Sequence, residues 1–368
     1  MPSFASTCTM VKLGVSLLAA GRLAAATSYT LQDSYTIANF FDEFDFYTGA
    51  DPTEGFVDYQ SAAAASASGL AGSSSGGIYL GADYTTANPA AGRASTRVSS
   101  KKAYTHMLLV ADVNHMPVGC GTWPALWSFG PDWPSSGEID MIEGVNSQTA
   151  NEITLHTAEG CTMAQGKQMA STKLLDTLDC GAGDGSTGCP QKTTETTNYG
   201  AGLNAGGGGV YAMEWTSDAI SVWFFARNST MANKLSASGS ASAAATNGST
   251  AGLDTASFGT PQAQFAGGSG CDIDENFKSH NIVIDTTFCG DWAGKSSIWS
   301  SDATCSALAT TCEDYVANNP EAFVDAYWLF NSINVYQASG TSARRTMGSS
   351  ASSWEADSRR RVEKYRSS

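Results

Sequence analysis

The sequence predicts an all-β protein built as one antiparallel sandwich over residues 27–337. Short apolar runs rich in Val, Ile and aromatic residues recur along the chain, each bounded by Gly, Asn, Asp or Ser. Glycine is abundant at 38 residues, and Ser, Thr and Ala crowd the gaps, as a fold with many turns requires. No long amphipathic helix stands out, and no repeat of fixed period is visible.

In chain order, Lys12 precedes the apolar run Leu13 to Ala20, and Ala24, Ala25 and Ala26 supply small residues. Residues 1–26 therefore read as a secretory leader, with an apolar run too short to span a bilayer. Ser61 to Gly77 is rich in Ala, Ser and Gly and reads as a loop, as does Ser236 to Gly252. Expected strands are Arg97 to Ser100, Thr105–Val113, Glu138–Ile142, Ile153–His156, Val210–Trp215, Ile220–Ala226, Asn281–Thr286 and Phe330–Tyr336. Trp215-Thr-Ser-Asp-Ala-Ile reads as a hairpin turn, and Ala307–Asn318 as a short helix. Residues 338–368 are Ser-rich, with seven basic against three acidic residues, and are expected to be a disordered tail.

A net charge of −15 repels nucleic acid and anionic membranes, so neither is an expected partner, and the expected state is a monomer. Cys8 falls within the leader. The eight remaining cysteines, Cys120, Cys161, Cys180, Cys189, Cys271, Cys289, Cys305 and Cys312, imply disulfides of open pairing in an exported chain. No CxxC pair occurs, which argues against a zinc site. The sequons at Asn228 and Asn247 agree with an extracellular location.

The most informative stretch is Gly137-Glu138-Ile139-Asp140-Met141-Ile142-Glu143-Gly144. On a strand, Glu138 and Asp140 share a face, and strict alternation puts Glu143 on the other. One extra residue, a β-bulge around Met141-Ile142, returns Glu143 to the first face. The Glu138 and Glu143 backbones then lie roughly 13 Å apart. Inward-leaning side chains close that to about 5 Å, the separation at which one carboxyl group acts as nucleophile and the other as acid/base in glycoside hydrolysis with retention. Crowding raises at least one pKa, as an acid that must stay protonated requires. Asp140, between them, can orient Glu138. The competing reading is a solvated strand face, although clustered acids on one face repel and normally have a reason to be there. Trp123, Trp127 and Trp133 precede the motif and His156 follows it. Indole faces stack on sugar rings, so this neighbourhood reads as a saccharide groove.

These residues are similar to glycoside hydrolase family 16, in particular fungal endo-1,3(4)-β-glucanases of the laminarinase kind. The likeness includes His115-Met-Pro-Val-Gly-Cys-Gly-Thr-Trp-Pro-Ala-Leu-Trp127, Ile153-Thr-Leu-His-Thr157, Tyr211-Ala-Met-Glu-Trp215 and Phe288-Cys-Gly-Asp-Trp-Ala-Gly294, in family order. It implies a β-jelly roll with an open cleft on its concave face. It also implies a secreted retaining enzyme acting on β-1,3 or mixed β-1,3/1,4 glucans, with Glu138 as nucleophile, Asp140 as its assistant and Glu143 as acid/base. Trp127, Trp133, His156, Trp292 and Arg97 become candidate substrate-binding residues. Some relatives hold a calcium ion away from the cleft, but no ligand cluster in this sequence calls for one, and neither cofactor nor metal is expected. The alternatives are a transglycosylase of wall glucan and a glucan-binding protein without catalysis.

Overall fold

The Met107–His115 strand is apolar on both faces because both of its faces are covered. Along Met107–His115, Leu109, Ala111 and Val113 turn into the core between two sheets. Leu108 and Val110 face the other way and pack with Trp223, Leu235 and Phe258. The computed structural model describes residues 28–174, 177–183, 186–239 and 252–338.

An eight-stranded sheet runs in the order Lys173–Leu174, Gln191–Lys192, Glu152–His156, Glu138–Glu143, Thr122–Phe129, His280–Phe288, Arg97–Tyr104, Phe44–Phe46. The second sheet has ten strands. Its path is Ala164–Gln165, Ala263–Ala266, Ala219–Ala226, Gly209–Trp215, Met107–His115, Tyr327–Ala338, Ser28–Tyr35, Leu253–Asp254, with the hairpin Ala71–Ser74/Gly77–Gly81 joined to Tyr327–Ala338. Both sheets are antiparallel, open and interleaved in sequence, the jelly-roll sandwich the sequence predicts. The shared core takes Leu109 and Ile333 from one sheet and Leu126, Ile139, Ile142 and Ile284 from the other.

The expected hairpin is present, with Trp215 opposite Ile220. The expected helix shortens to Cys312–Asn318, capped by the Thr311 hydroxyl. Ser61 to Gly77 is not the loop its composition suggests. Ser61 caps a helix at Ala62–Ala67, where an alanine run favours helix, and Ser75 and Gly76, both at positive φ, close the hairpin. Thr122–Phe129, absent from the expected strands, is central to its sheet. Pro124 obscures it in the sequence; the Glu138–Glu143 ladder ends at Ala125, so the residue without an N–H sits just past it. Residues 1–26, 240–251 and 339–368, which carry the leader, most of the second loop with Asn247, and the tail, lie outside the described residues.

Four disulfides pair the eight cysteines: Cys120–Cys305, Cys161–Cys271, Cys180–Cys189 and Cys289–Cys312. Cys120–Cys305 closes 185 residues of chain and Cys180–Cys189 only 9. By loop-closure entropy the first restrains the unfolded chain by about 5 kcal/mol and the second by about 2.5 kcal/mol. Replacing each pair by Ala is expected to lower the urea midpoint roughly twice as far for Cys120/Cys305 as for Cys180/Cys189.

Candidate active site

The Glu138–Glu143 strand departs from regular pairing at one residue. Against the preceding strand, Glu138 faces Phe129, Asp140 faces Trp127, Ile142 faces Leu126 and Glu143 faces Ala125, so Met141 is the extra residue of a β-bulge. Against the following strand, Glu138 faces His156, Asp140 faces Thr154 and Glu143 faces Glu152, with the register shift in the same place. Glu138, Asp140 and Glu143 therefore share the outer face of the sheet, while Ile139, Met141 and Ile142 belong to the core.

Each acid has a distinct partner. The Trp133 indole N–H donates to Glu138 Oε2. His156 Nε2 lies 3.1 Å from Asp140 Oδ2. The Trp123 indole N–H donates to Glu143 Oε1 at 2.9 Å. Burial first, then the charge of Asp140, pushes the Glu143 carboxyl well above the usual carboxylate range, against the pull of the Trp123 N–H. Burial alone would lower the pKa of His156. The hydrogen bond to Asp140 and the charges of Glu138, Asp140 and Glu143 outweigh it and raise His156 to about 9. One carboxyl group is thus biased toward its protonated form beside others on the same face, an arrangement suited to acid/base chemistry. Ligand atoms of Glu138, Asp140 and His156 lie within 4.8 Å of one another, a spacing a cation could use. We assign no metal to it.

The remaining candidates extend the same face. One row across the sheet reads Arg97, Asp285, Ala125, Glu143, Glu152, Lys192, and the next reads Ser99, Val283, Trp127, Asp140, Thr154. Trp127, 5% exposed, forms floor rather than wall. Phe129 stacks on it, Arg97 lies over its ring at 5.0 Å, and its N–H donates to Asp285 at 3.2 Å. Arg97 sits between Asp285 and Asp51, at 3.6 and 3.9 Å. Trp292 is half-buried and meets Trp123 edge-on at 5.4 Å, which joins it to the Glu143 end. Trp133, also half-buried, stands at the Glu138 end.

A profile described as the XgeA-like catalytic GH16 domain matches residues 44–336. The chain belongs to glycoside hydrolase family 16. It is 44% identical over 333 residues to a protein of Aspergillus fumigatus named as a probable endo-1,3(4)-β-glucanase, a match covering 88% of this chain and 48% of that protein. It is 41% identical to the endo-1,3(4)-β-glucanase xgeA of Emericella nidulans, over 86% of this chain and 49% of that one. The chain thus spans about half the length of these relatives. Among solved structures it is similar to laminarinase 16A of Phanerochaete chrysosporium, which carries two β-glucans in donor and acceptor sites (42% identity, TM-score 0.75, 84% of this chain, 100% of that one). It is also similar to an elongating family 16 β-1,3-glucosyltransferase (39% identity, TM-score 0.73, 84% of this chain, 100% of that one).

Trp123, grouped with Trp127 and Trp133 in the sequence, shares strand parity with Ala125 and Trp127 and so lies on the face of the acids. Sequence reasoning missed other residues that the structure brings to this face. Glu152 likewise shares parity with His156. Asp51 and Asp285 are far from Arg97 in sequence and gave no signal; only the fold assembles them.

The raised pKa of His156 carries a stability signature. Folding favours its charged form, so that stabilisation is complete below 6.5, the unfolded value, and disappears as pH rises through about 9. Wild type is expected to exceed His156→Asn in unfolding free energy by up to about 3 kcal/mol at pH 6, with the gap closing by pH 9.5. Urea titrations of both proteins across that range measure it.

Proposed function

We propose that this chain is a secreted endo-β-glucanase that hydrolyses β-1,3 or mixed β-1,3/1,4 glucans with retention of anomeric configuration. The observation that carries the reading is the alignment of Glu138, Asp140 and Glu143 on one outer sheet face by the bulge at Met141. Glu138 attacks the anomeric carbon and forms a glycosyl-enzyme, while Glu143 protonates the departing oxygen. Glu143, now a carboxylate, takes a proton from water, which attacks the same carbon and releases Glu138. Asp140, held by His156, keeps Glu138 oriented. Trp133 and Trp292 present half-buried indoles to sugar rings, and Trp127 with Arg97 forms the floor beneath further residues of the polymer. Relatives named as endo-1,3(4)-β-glucanases support the substrate class. The disulfides and the exposed sequon at Asn228 support export.

A second reading is transfer to a second glucan in place of water. The likeness to an elongating glucosyltransferase favours it, since the chemistry is shared up to the glycosyl-enzyme. Sizing products from laminarin at low and high acceptor concentration separates the two: shorter products throughout mean hydrolysis, and longer ones mean transfer.

Glu138→Gln and Glu143→Gln are each expected to lower kcat on laminarin by at least about 10³-fold with folding intact, measured as reducing-end release. Activity needs protonated Glu143, so it falls as pH rises through the Glu143 pKa. Asp140→Asn removes the like charge that helps raise that pKa, so its alkaline limb is expected to move to lower pH.

A further inference from the structure

A bulge breaks a ladder and leaves backbone groups without strand partners, and buried groups of that kind must be satisfied elsewhere. Here both are satisfied by one side chain. Asn151, 0% exposed, donates its Nδ2–H to the carbonyl of the bulged Met141 at 2.8 Å. Its Oδ1 accepts the backbone N–H of Glu143 at 3.0 Å. The Asn151 carbonyl is fixed in turn by the Thr193 N–H at 2.9 Å and the Thr193 hydroxyl at 3.3 Å. That hydroxyl accepts from Asn198 Nδ2 at 2.8 Å.

We propose that Asn151 is the positioning residue for Glu143: its amide spans the bulge and holds the glutamate on the face that carries Glu138. The inference rests on the acid/base reading of Glu143. The physical argument is the period-two rule. Without the amide, two buried backbone groups lose their partners, and the strand can recover them only by relaxing toward a regular ladder. A regular ladder turns Glu143 away from Glu138. Displacement of about 1 Å is enough to disable an acid that must meet one oxygen atom. Glu138 lies before the bulge, in a register Asn151 does not touch, so nucleophilic attack is spared.

That asymmetry gives a test which general damage to the fold cannot imitate. On laminarin the leaving sugar oxygen needs the proton of Glu143. On a 2,4-dinitrophenyl β-laminaribioside the C1–O bond breaks as Glu138 bonds to C1, and dinitrophenolate departs with the electron pair, needing no proton. Asn151→Ala is expected to lower kcat on laminarin by about 10²-fold with KM within about threefold. The dinitrophenolate burst that reports glycosyl-enzyme formation is expected to stay within about threefold of wild type. Azide, which needs no base, is expected to restore turnover of the aryl glycoside. Asn151→Asp keeps the shape and the acceptor for Glu143 but, ionised, loses the donor to Met141, and is expected to give the same split with a smaller loss; it carries the test if the alanine variant does not fold. Equal losses on both substrates, or laminarin kinetics unchanged from wild type, would overturn the inference. Glu143→Gln run in parallel separates the two levels. If it too lacks the split, the acid/base reading fails; if it shows the split and the Asn151 variants do not, only the role of Asn151 fails.

Discussion

The site depends on one surplus residue in one strand. A strand shows alternate side chains to alternate faces, so a segment in which one apolar residue separates the first two acids and two separate the second from the third cannot be regular and keep all three acids on one face. The bulge at Met141 resolves the conflict: Ile139, Met141 and Ile142 go to the core and Glu138, Asp140 and Glu143 to the outer face. The same backbone therefore anchors the sandwich and presents the acids to which the chemistry is assigned in the proposal. A face fixed by core packing is a rigid base for groups that must hold their places to within a fraction of an ångström.

Crowded acids need compensation, and the structure supplies it unevenly. Glu138 and Glu143 each receive an indole N–H, from Trp133 and Trp123, while Asp140 lies against the cationic His156. Glu152, the cross-strand neighbour of Glu143, is paired with Lys192 at 3.3 Å. Burial and the Asp140 charge still prevail at Glu143 and favour its protonated form. The division of labour proposed for the two glutamates thus arises from their surroundings, since the side chains are chemically identical.

Local rules made much of this legible before any coordinates. The alternation of Glu138 and Asp140, the odd offset of Glu143 and the apolar residues between them already call for a bulge, and the hairpin between Trp215 and Ile220 follows from turn chemistry. Two kinds of feature were hidden. Segments whose composition points elsewhere were misread: the Ala-rich helix Ala62–Ala67 as loop, and the strand through Pro124 as none. Long-range contacts had no local trace, as with Asp51, Arg97 and Asp285, or Asn151 inserted behind Glu143. Propensity sees neighbours in sequence, whereas a buried amide bridging a bulge is defined by which strand ends up beside it.

The claim that Glu138 and Glu143 act as a pair with separate duties is tested most directly by trapping the covalent intermediate. A 2-deoxy-2-fluoro laminaribiosyl donor with an activated leaving group slows release more than attack, so the labelled protein can be digested and the modified peptide sequenced by mass spectrometry. The account predicts one equivalent of label, on Glu138. Label on Glu143 or Asp140, or stoichiometric turnover with no adduct on this strand, would contradict it.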